Sequence, residues 1–445
     1  DVFKKLEQAG HIYENEIIQL YCNTDKKFLP DRYVIGTCPY CKANDQYSDL
    51  CEKCGRVPEE IENPHCSICG QTPVKEKTKH YFFKLKNFSD KLTKYLESNQ
   101  NLQKDVKKYV QNWIKEGLTD WDITRDISWG VPVPVDGEKE KVFYGWFDNH
   151  LAYISSTIKF LNDNGKDGKK FWNESDIYHF IGKDIVYHHF LFLPAMRLGI
   201  DEEYKLPDYI PTRGHLTLES KKISKSRNWY IGLKDFLEIF PSDYLRFYLV
   251  SINPYSQDDL NFNWDEFATK INSELIGNLG NLVNRALGFT VKSFNSIVPD
   301  PEKFDDMDKE SEKMIHELAS QLSVLMEENH LDRALKKILQ FSAHFNQYFQ
   351  HKEPWKNGAG TNSCVFLAVN AVRSLAIAIY PFLPESSQKI WAQLGLDGNV
   401  STEMFDEISN ITLKQGHKLG QVSPLFEKVE ESVIEEQKSK LGGTS

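Results

Sequence analysis

The spacing of hydrophobic positions changes at several points along the chain, and each change predicts a change of structure. Residues 1–20 have the pattern of the end of an amphipathic helix, a turn at Gly10 and a strand. Between residues 121 and 260, short apolar runs such as VFYGWF and IYHFIG alternate with helical segments, which favours an α/β layer with a parallel sheet. Beyond about residue 262, apolar residues recur every three or four positions, which is typical of a helical bundle.

The bundle pattern is the most regular in the sequence. Its apolar stripe consists of Ile315, Leu318, Leu322, Leu325, Leu331, Leu335, Ile338, Phe341 and Phe345. The segment 365–395 is similarly helical, and the polar composition after about residue 425 predicts a tail that ends in disorder. The pattern as a whole predicts five segments, namely 1–20, a Cys-rich module 21–85, an α/β segment 86–262, a helical domain 263–425 and a polar tail 426–445.

Composition limits the classes of protein that the chain can represent. A length of 445 residues predicts two or three domains, and 40% hydrophobic residues are enough for large cores. The net charge of −10 argues against a uniformly basic nucleic-acid binder, so any RNA contact must use local patches. No apolar run approaches the roughly eighteen residues of a membrane span, and the start has no secretory signal. We therefore expect a cytoplasmic protein without a membrane partner.

Seven of the eight cysteines lie between Cys22 and Cys69, which points to metal binding rather than to disulfides. The pairs Cys38/Cys41 and Cys51/Cys54 have the CxxC–x9–CxxC spacing of two zinc knuckles. Four thiolates fill a tetrahedral Zn²⁺ site completely, so these residues predict a structural metal rather than a catalytic one.

A second metal site is an open alternative. Cys66 and Cys69 form a third CxxC pair, and the partners available are Cys22 and Asp25 in the sequence CNTD. A carboxylate is a legitimate zinc ligand, so the four residues can hold a second ion. A degenerate site that binds nothing explains the pattern equally well.

The segment KKISKS, residues 221–226, resembles the lysine- and serine-rich signature loop of class I aminoacyl-tRNA synthetases. The segments FLPDRYVIGTCPYC, LTDWDITRDISWGVPVP, FYGWFD, YHFIGKDIVYHH and GNLGNLVNR occur in the order found in methionyl-tRNA synthetases. The chain therefore resembles this family over its whole length, and two knuckles make it most similar to the archaeal branch. The resemblance implies a Rossmann-type catalytic domain (second half) with a zinc-knuckle connective insertion, followed by an α-helical bundle anticodon-binding domain.

The resemblance also implies an activity. It predicts a ligase that activates methionine with ATP to methionyl-adenylate, with Mg²⁺ accompanying ATP, and then transfers methionine to tRNA(Met). Residues 1–20 would end the first half of the catalytic fold, 21–85 would be the insertion and 86–262 would be the second half. The implied catalytic residues are Lys222, Lys225 and Asp184, and the implied substrate-binding residues are Trp146, Tyr153, Ile185, His189, Arg125 and Gly182.

Several of these roles have a physical reason. An ammonium on a loop, such as that of Lys225, stabilises charge that develops on departing pyrophosphate. An aromatic and apolar cage suits a thioether, which is polarizable but a poor hydrogen-bond partner. Arg125 lies with Trp129 in a segment that the resemblance assigns to the catalytic face. His189 rests on the motif alone, and its neighbour His188 is interpreted as a core residue.

The resemblance assigns anticodon recognition to three residues of the helical domain. Asn281 and Arg285 are spaced i,i+4, so they share one helix face. Trp355 follows Pro354 and can stack on an unpaired base. An ordinary salt bridge at Arg285 and a packing role for Trp355 are the alternatives, but the joint presence of the three residues favours RNA.

The sequence departs from the family in the pocket loop. The family pattern WxDAPIGY is replaced by residues 146–153, in which Asn149 and His150 stand where the family has Ala and Pro. We expect both polar side chains to turn towards a wetter region, since burial would leave their polar atoms without partners. The alternative is a pocket that is not tuned for methionine alone.

The HIGH tetrapeptide of class I synthetases is the second departure, because it does not occur in this sequence. The chain begins at Asp1 rather than Met, so we expect the sequence to lack the N-terminal segment that bears the motif; a natural half-protein is the alternative. Two other functions remain open, a non-catalytic tRNA- or partner-binding protein derived from a synthetase and a synthetase-like enzyme with altered amino-acid specificity.

Overall fold

The computed structural model describes residues 1–48, 51, 58, 60–135, 141–201 and 203–442. The chain divides into two compact units, Asp1–Pro211 (unit 1) and Thr212–Ser445 (unit 2). This division falls inside the segment 86–262, which the sequence pattern treats as one region, and residues 222–226 (the KISKS loop) therefore belong to unit 2.

Unit 1 combines short helices with mostly short strands. Its strands are β1 (Ile12–Cys22), β2 (Lys27–Phe28), β3 (Val34–Thr37), β4 (Gln46–Tyr47), β5 (Glu62–Cys66), β6 (Val74–Phe83), β7 (Trp121–Asp122), β8 (Thr124–Arg125), β9 (Val142–Phe143) and β10 (Ile181–Gly182). Its helices are α1 (Val2–Gln8), α2 (Ser89–Ser98), α3 (Lys104–Glu116), α4 (Gly145–Asp163), α5 (Gly168–Glu174) and α6 (Leu193–Leu198), with a π-helical turn at His188–Phe192.

Two antiparallel sheets form the Cys-rich part of unit 1. The larger has the order β2-β1-β6-β7, and its longest ladder pairs β1 with β6 from Ile12 opposite Phe83 to Tyr21 opposite Val74. The smaller sheet has β3 between β4 and β5. Gly36 allows β3 and β5 to approach, because an added Cβ would lie 2.5 Å from the Glu62 carbonyl oxygen. Strands β1 and β5 end in cysteine, and β3 ends one residue before Cys38, so the strand ends position the metal ligands.

The predicted parallel sheet is present only in short pieces. Parallel pairing inside either unit is limited, among the described residues, to Leu216–Leu218 beside Leu260–Phe262 and to a bridge between Tyr178 and Tyr209. The apolar run VFYGWF is not one strand, since β9 ends at Phe143 and α4 begins at Gly145. Short apolar runs fit a strand and a buried helix equally well, which explains the difference.

Unit 2 carries four short strands and the helical bundle. The strands are β11 (Thr212–Arg213), β12 (Leu216–Leu218), β13 (Lys221–Lys222) and β14 (Leu260–Phe262). The helices are α7 (Leu233–Ile239), α8 (Ser242–Ser251), α9 (Trp264–Lys270), α10 (Asn281–Ser293), α11 (Asp306–Glu327), α12 (Leu331–Lys352), α13 (Thr361–Ile379), α14 (Pro384–Gln393) and α15 (Glu431–Ser439). A π-helical stretch, Ile271–Gly280, joins α9 to α10.

The apolar stripe predicted for the bundle forms its core. Ile315, Leu322, Ile338 and Phe345 are fully buried between α11, α12 and α13. Helix α13 is long and apolar enough to cross a membrane by composition alone. However, 94% of that helix is buried inside unit 2, as expected for the central helix of a bundle.

The polar tail is ordered over residues 426–442, and its expected disordered end stays a prediction because residues 443–445 lie outside the described residues. The Tyr244 hydroxyl makes two hydrogen bonds with the backbone of Glu427. It donates to the carbonyl oxygen at 2.7 Å and accepts from the N–H at 2.8 Å. Asn272 pairs with both backbone groups of Val429 at 2.9 Å. Helix α15 buries Ile434 against the bundle. A few apolar residues and backbone hydrogen bonds thus hold a segment whose average composition is polar.

Candidate functional site

Helix α4 presents three ring side chains of the predicted amino-acid pocket on one face. Trp146, His150 and Tyr153 are spaced i, i+4 and i+7, so they lie one above the other along the helix. The ring of Trp146 lies 4.5 Å from that of His188 at 30°, and the ring of His150 lies 4.9 Å from that of His189. The structure therefore brings Trp146, Tyr153 and His189 into one cluster, as the resemblance implies.

His189 is fixed in one tautomer by its neighbours. Its Nδ1 lies 3.1 Å from the Ile185 carbonyl oxygen, which can only accept, so Nδ1 carries the proton. The Tyr153 hydroxyl then donates to Nε2 at 3.4 Å. Burial lowers the pKa of His189, which keeps the ring neutral. A neutral aromatic cage of this kind can accommodate a thioether side chain without placing a charge against it.

Only one of the two polar residues that replace the family's Ala and Pro turns towards solvent as expected. Asn149 is exposed, as expected, but His150 is buried with only 1% of its surface exposed. Neither ring nitrogen of His150 has a hydrogen-bond partner among the described residues, and burial lowers its pKa to about 3. The physical reason is that residues 145–163 are helical, so position 150 shares the inward face of Trp146 while position 149 does not.

Sequence reasoning also missed three rings of the cluster. The ring of His179 lies 4.7 Å from that of Tyr153, and the ring of Trp121 lies 5.1 Å from that of His188. The ring of His188 is tilted against that of Trp146 and is half-buried, so it borders the cluster as well as packing inside unit 1. The signal was available in part, because His179 and Trp121 lie inside the quoted segments YHFIGKDIVYHH and LTDWDITRDISWGVPVP.

Gly182 and Asp184 lie together at the turn that precedes His188. Asp184 is exposed within the turn Lys183–Ile185. A Cβ added at Gly182 would come within 2.5 Å of the Asp184 Oδ1, so glycine leaves room for this position of the carboxylate over the backbone. Ile185 contributes its carbonyl oxygen to His189 and is partly buried.

Arg125 is held outside the ring cluster by a charged network. Its guanidinium lies 3.9 Å above the ring of Tyr144 and 3.3 Å from the Asp122 carboxylate. Asp122 in turn accepts from the buried ring of His80. Burial alone would lower the pKa of His80, but the carboxylates of Asp122 and Asp126 raise it. Tyr144 lies 5.8 Å from Trp121, so aromatic rings connect the Arg125 side to the cluster.

Trp129, predicted to lie at the catalytic face, is 86% exposed. It therefore packs against little of unit 1 in the described part of the chain.

The second predicted metal site is assembled in the structure. One ligand atom each from Cys22, Asp25, Cys66 and Cys69 lies within 4.8 Å of every other. The Asp25 Oδ2 is 3.1 Å from the sulfur atoms of Cys22 and Cys66, and the sulfurs of Cys22 and Cys69 are 3.4 Å apart. Ligand atoms in a tetrahedral zinc–thiolate site are about 3.8 Å apart. The donor set and its spacing therefore fit Zn²⁺.

The first knuckle pair is described in part. The sulfur atoms of Cys38, Cys41 and Cys51 lie within 4.8 Å of one another, and Cys54 lies outside the described residues. Burial opposes ionisation of Cys38, but the N–H groups of Cys41 and Tyr40 outweigh it and lower the pKa to about 6. A thiol that ionises this readily is suited to binding a metal.

The KISKS loop of unit 2 begins on a strained hairpin. Strands β12 and β13 are joined by two residues, Glu219 and Ser220, with φ of 48° and 61°. Both central residues of a type I′ turn need positive φ, which normally favours Asn-Gly. The Glu219 carboxylate holds the turn by accepting from the Trp264 N–H and the Asn263 amide, both at 2.8 Å.

Lys222 and Lys225 are exposed, and within the described part of the chain neither ammonium has a hydrogen bond or an ion pair. The neighbouring Lys221 is different, since its ammonium lies 4.2 Å above the ring of Trp229. Ser224 and Trp229 close the loop with two backbone hydrogen bonds. The loop thus presents two cations at its surface on a defined backbone.

The three predicted anticodon residues share one surface of unit 2. The Arg285 guanidinium lies 5.6 Å above the ring of Trp355 and 5.2 Å above that of Phe349. Trp355 is 43% exposed, so one face of its indole can receive a further ring. The Asn281 amide donates to Asn346 at 2.7 Å. Arginine over an exposed indole is a suitable arrangement for binding an unpaired base.

A groove of about 870 Å³ adjoins Asn281 on the same unit. Amide side chains of the π-helical stretch and of α12 line it, among them Asn278 and Asn346. The Asn346 amide donates to the Asn278 carbonyl oxygen at 2.9 Å, which satisfies a backbone acceptor of the π-helical stretch. Sequence reasoning missed both residues, although Asn278 lies in the quoted segment GNLGNLVNR.

Comparison with known families covers nearly the whole chain. A family model described as "tRNA synthetases class I (M)" matches residues 1–287, and one described as "Anticodon binding domain of methionyl tRNA ligase" matches residues 298–445. The methionine–tRNA ligase of Methanopyrus kandleri is 42% identical over 448 residues, covering 99% of this chain and 66% of the relative. That of Pyrococcus horikoshii is 40% identical over 454 residues, covering 97% of this chain and 62% of the relative. The chain thus spans about two thirds of the length of these relatives.

Solved structures agree in fold. Mycobacterium tuberculosis methionyl-tRNA synthetase in complex with methionyl-adenylate matches with a TM-score of 0.77 at 24% identity, over 96% of this chain and 79% of that chain. The apo form of the same enzyme matches with a TM-score of 0.75 at 22% identity, over 96% of this chain and 80% of that chain. The family inferred from the quoted motifs is confirmed, and the chain belongs to the methionyl-type class I tRNA synthetases.

Proposed function

We propose that this chain carries the methionine-binding and anticodon-binding parts of a methionine–tRNA ligase. The observation that carries the proposal is the ring cluster of Trp146, Tyr153 and His189, in a chain about 40% identical to methionine–tRNA ligases. The reaction would join methionine and ATP to give methionyl-adenylate and pyrophosphate, and then transfer methionine to tRNA(Met). A cytoplasmic location belongs to the same proposal.

In this proposal the amino acid is held by packing and by neutral hydrogen bonds. Trp146 and Tyr153 enclose the thioether, and His189 remains uncharged because burial lowers its pKa. Asp184 and Gly182 take the position beside the adenylate, where the absence of a Cβ allows close approach. Positioning of the carboxylate for attack on the α-phosphate then accounts for much of the rate.

Charge on the phosphates is stabilised by the KISKS loop in this proposal. Lys222 and Lys225 have no partner among the described residues, so their ammonium groups are available to an anion. Mg²⁺ would arrive with ATP and neutralise part of the phosphate charge. Because negative charge grows on pyrophosphate as the bond breaks, Lys225 contributes more to the transition state than to substrate binding.

The tRNA is recognised in this proposal by the surface of Asn281, Arg285 and Trp355. Base stacking on the exposed indole and polar contacts from Arg285 and Asn281 distinguish an unpaired anticodon. The net charge of −10 is compatible with such a local contact.

Both cysteine clusters hold structural Zn²⁺ in this proposal, one on Cys38, Cys41, Cys51 and Cys54 and the other on Cys22, Asp25, Cys66 and Cys69. A bound zinc ion substitutes for the hydrophobic core that so small a module cannot build. All four ligand positions of each site are supplied by the protein, so neither ion would bind substrate.

Methionine-dependent pyrophosphate exchange, measured on the full product of the gene, tests the proposed activity. We expect Lys225→Ala to lower kcat by about a hundredfold or more, with little change in the Kd for methionine. Lys221→Ala is the matched control, since that lysine stacks on Trp229 and should affect exchange only slightly. Exchange that responds to another amino acid but not to methionine would contradict the proposal, as would equal effects of the two lysine variants.

A further inference from the structure

His150 is the one buried ring of the cluster whose polar atoms are both unused. It is 1% exposed, and in the part of the chain that the structure describes neither Nδ1 nor Nε2 has a hydrogen-bond partner. A neutral imidazole offers one donor and one acceptor, and leaving both unpaired in the interior carries their full desolvation penalty. An unpaired buried group of this kind calls for an explanation, and a bound polar group is one.

The surroundings of His150 explain why the protein itself supplies no partner. Its neighbours are the rings of Trp146, His188, His189 and Phe192, at centroid distances between 4.9 and 6.5 Å. Tyr153 and His189 already bond to each other and to the backbone of Ile185. These neighbours are therefore already paired or apolar, and none of the described residues pairs with the two nitrogens of His150.

Two further nitrogen atoms of the cluster share this property. Nδ1 of His188 and Nε2 of His179 are buried, and neither atom has a hydrogen-bond partner within the described ranges. His188 stacks on Trp146, and His179 lies against Tyr153, so both border the rings assigned to the amino acid. Three histidines with unpaired nitrogens thus contact the rings assigned to the amino acid, where a purely apolar wall is expected for a thioether.

We propose that His150 is a specificity-determining residue of the amino-acid pocket, donating a hydrogen bond to the heteroatom near the end of the substrate side chain. The proposal rests on the proposed function, because it takes the amino acid to lie among Trp146, Tyr153 and His189. A thioether sulfur accepts only weakly, whereas a sulfoxide oxygen accepts strongly. The pocket therefore admits methionine sulfoxide as well as methionine, and disfavours the isostere norleucine, which has a methylene in place of sulfur.

Direct binding to the full chain tests this inference without requiring turnover. Calorimetry with L-methionine, L-methionine sulfoxide and L-norleucine gives three affinities for each variant. Replacing His150 by Phe keeps a ring but removes both nitrogens. We expect His150→Phe to weaken the sulfoxide about tenfold relative to norleucine, the contribution of one ordinary hydrogen bond. His150→Gln retains a donor and should preserve most of the wild-type preference.

Asn149→Ala is the matched control, because it is the adjacent departure from the family pattern but its side chain is exposed. It should leave all three affinities unchanged. A second readout does not depend on whether the His150→Phe variant folds. In the wild-type chain, the imidazole ¹⁵N resonances of His150 should shift when methionine sulfoxide is added. His150→Gln identifies those resonances by their loss.

The outcomes separate this inference from the proposed function. If the wild-type chain binds methionine but His150→Phe leaves the affinity ratios unchanged, the role of His150 alone is overturned. The same holds if the ¹⁵N resonances of His150 do not shift. A wild-type chain that binds none of the three amino acids overturns the methionine site and the inference with it.

Discussion

Ser220 shows how one residue can hold strain beside a functional loop. Its φ of 61° lies in the left-handed region, which costs a residue with a Cβ about 1 kcal/mol or more. The position is nevertheless well defined, because the Ser220 N–H donates to the Asn261 side chain at 2.6 Å. Strain of this kind persists where the surroundings determine the backbone, and here it lies one residue before Lys221 and the KISKS loop.

We expect Ser220→Gly to raise the free energy of unfolding of unit 2 by about 0.5 to 1 kcal/mol, since glycine adopts this φ freely. Urea denaturation monitored by fluorescence measures the change. Glu219→Gly relieves the same kind of strain but also removes the carboxylate that accepts from Trp264 and Asn263. That variant should therefore be destabilised, and a shift of both variants in the same direction would refute the explanation.

Secondary-structure elements differ in how well the sequence specifies them. The stripe from Ile315 to Phe345 predicted α11 and α12, because a spacing of three and four residues has no other regular interpretation. The run VFYGWF was misread, since four to six apolar residues do not distinguish a strand from the first turn of α4. The order of residues 426–442 does not follow from their polar composition, because it depends on specific contacts of Val429 and Ile434 that average composition conceals.

The functional residues also differ in how well the sequence specifies their positions. The resemblance assigns Trp146, Tyr153 and His189 to one pocket. In the structure Tyr153 lies against His189, and His150 links His189 to Trp146. The burial of His150 did not follow from the sequence, because it depends on which face of α4 the residue occupies. Contacts between elements distant in sequence, such as that of His179 with Tyr153, required the fold itself.

Strand ends position two of the four ligands of the second metal site, because β1 ends at Cys22 and β5 ends at Cys66. We expect close to two zinc ions per chain by mass spectrometry of the metal content. Asp25→Ala should leave about one, since the three remaining thiolates lose the ligand that bridges Cys22 and Cys66 at 3.1 Å. Cys38→Ser, which affects the other cluster, should also leave about one. A wild-type content near one would eliminate the second site.

Across the whole of unit 1, buried neutral histidines make stability depend on pH. Burial lowers the pKa of His150 and of His179 to about 3 and that of His188 to about 4, from an ordinary value of 6.5. Below pH 6.5 the unfolded chain binds protons that the folded chain refuses, so the free energy of unfolding falls as pH falls. His80 acts in the opposite sense, because its pKa is raised in the folded state.

The pKa values of His11 and His189 are also lowered, so five lowered histidines stand against one raised histidine among the described residues of unit 1. The result is a net loss of stability between pH 6.5 and pH 5, of up to about 1.4 kcal/mol per pH unit for each fully buried, uncompensated group. The pKa of Asp126 is held at about 2 in the folded state, so its contribution to the free energy of unfolding is lost only below this window. Urea denaturation of unit 1 at pH 7.5, 6.5 and 5.5 measures the slope. His150→Phe removes one proton-binding group from the unfolded chain, so its slope should be shallower by about 1.4 kcal/mol per pH unit well below pH 6.5. Equal slopes in the two proteins would show that His150 takes up its proton in the folded state, which its lack of any acidic hydrogen-bond partner argues against.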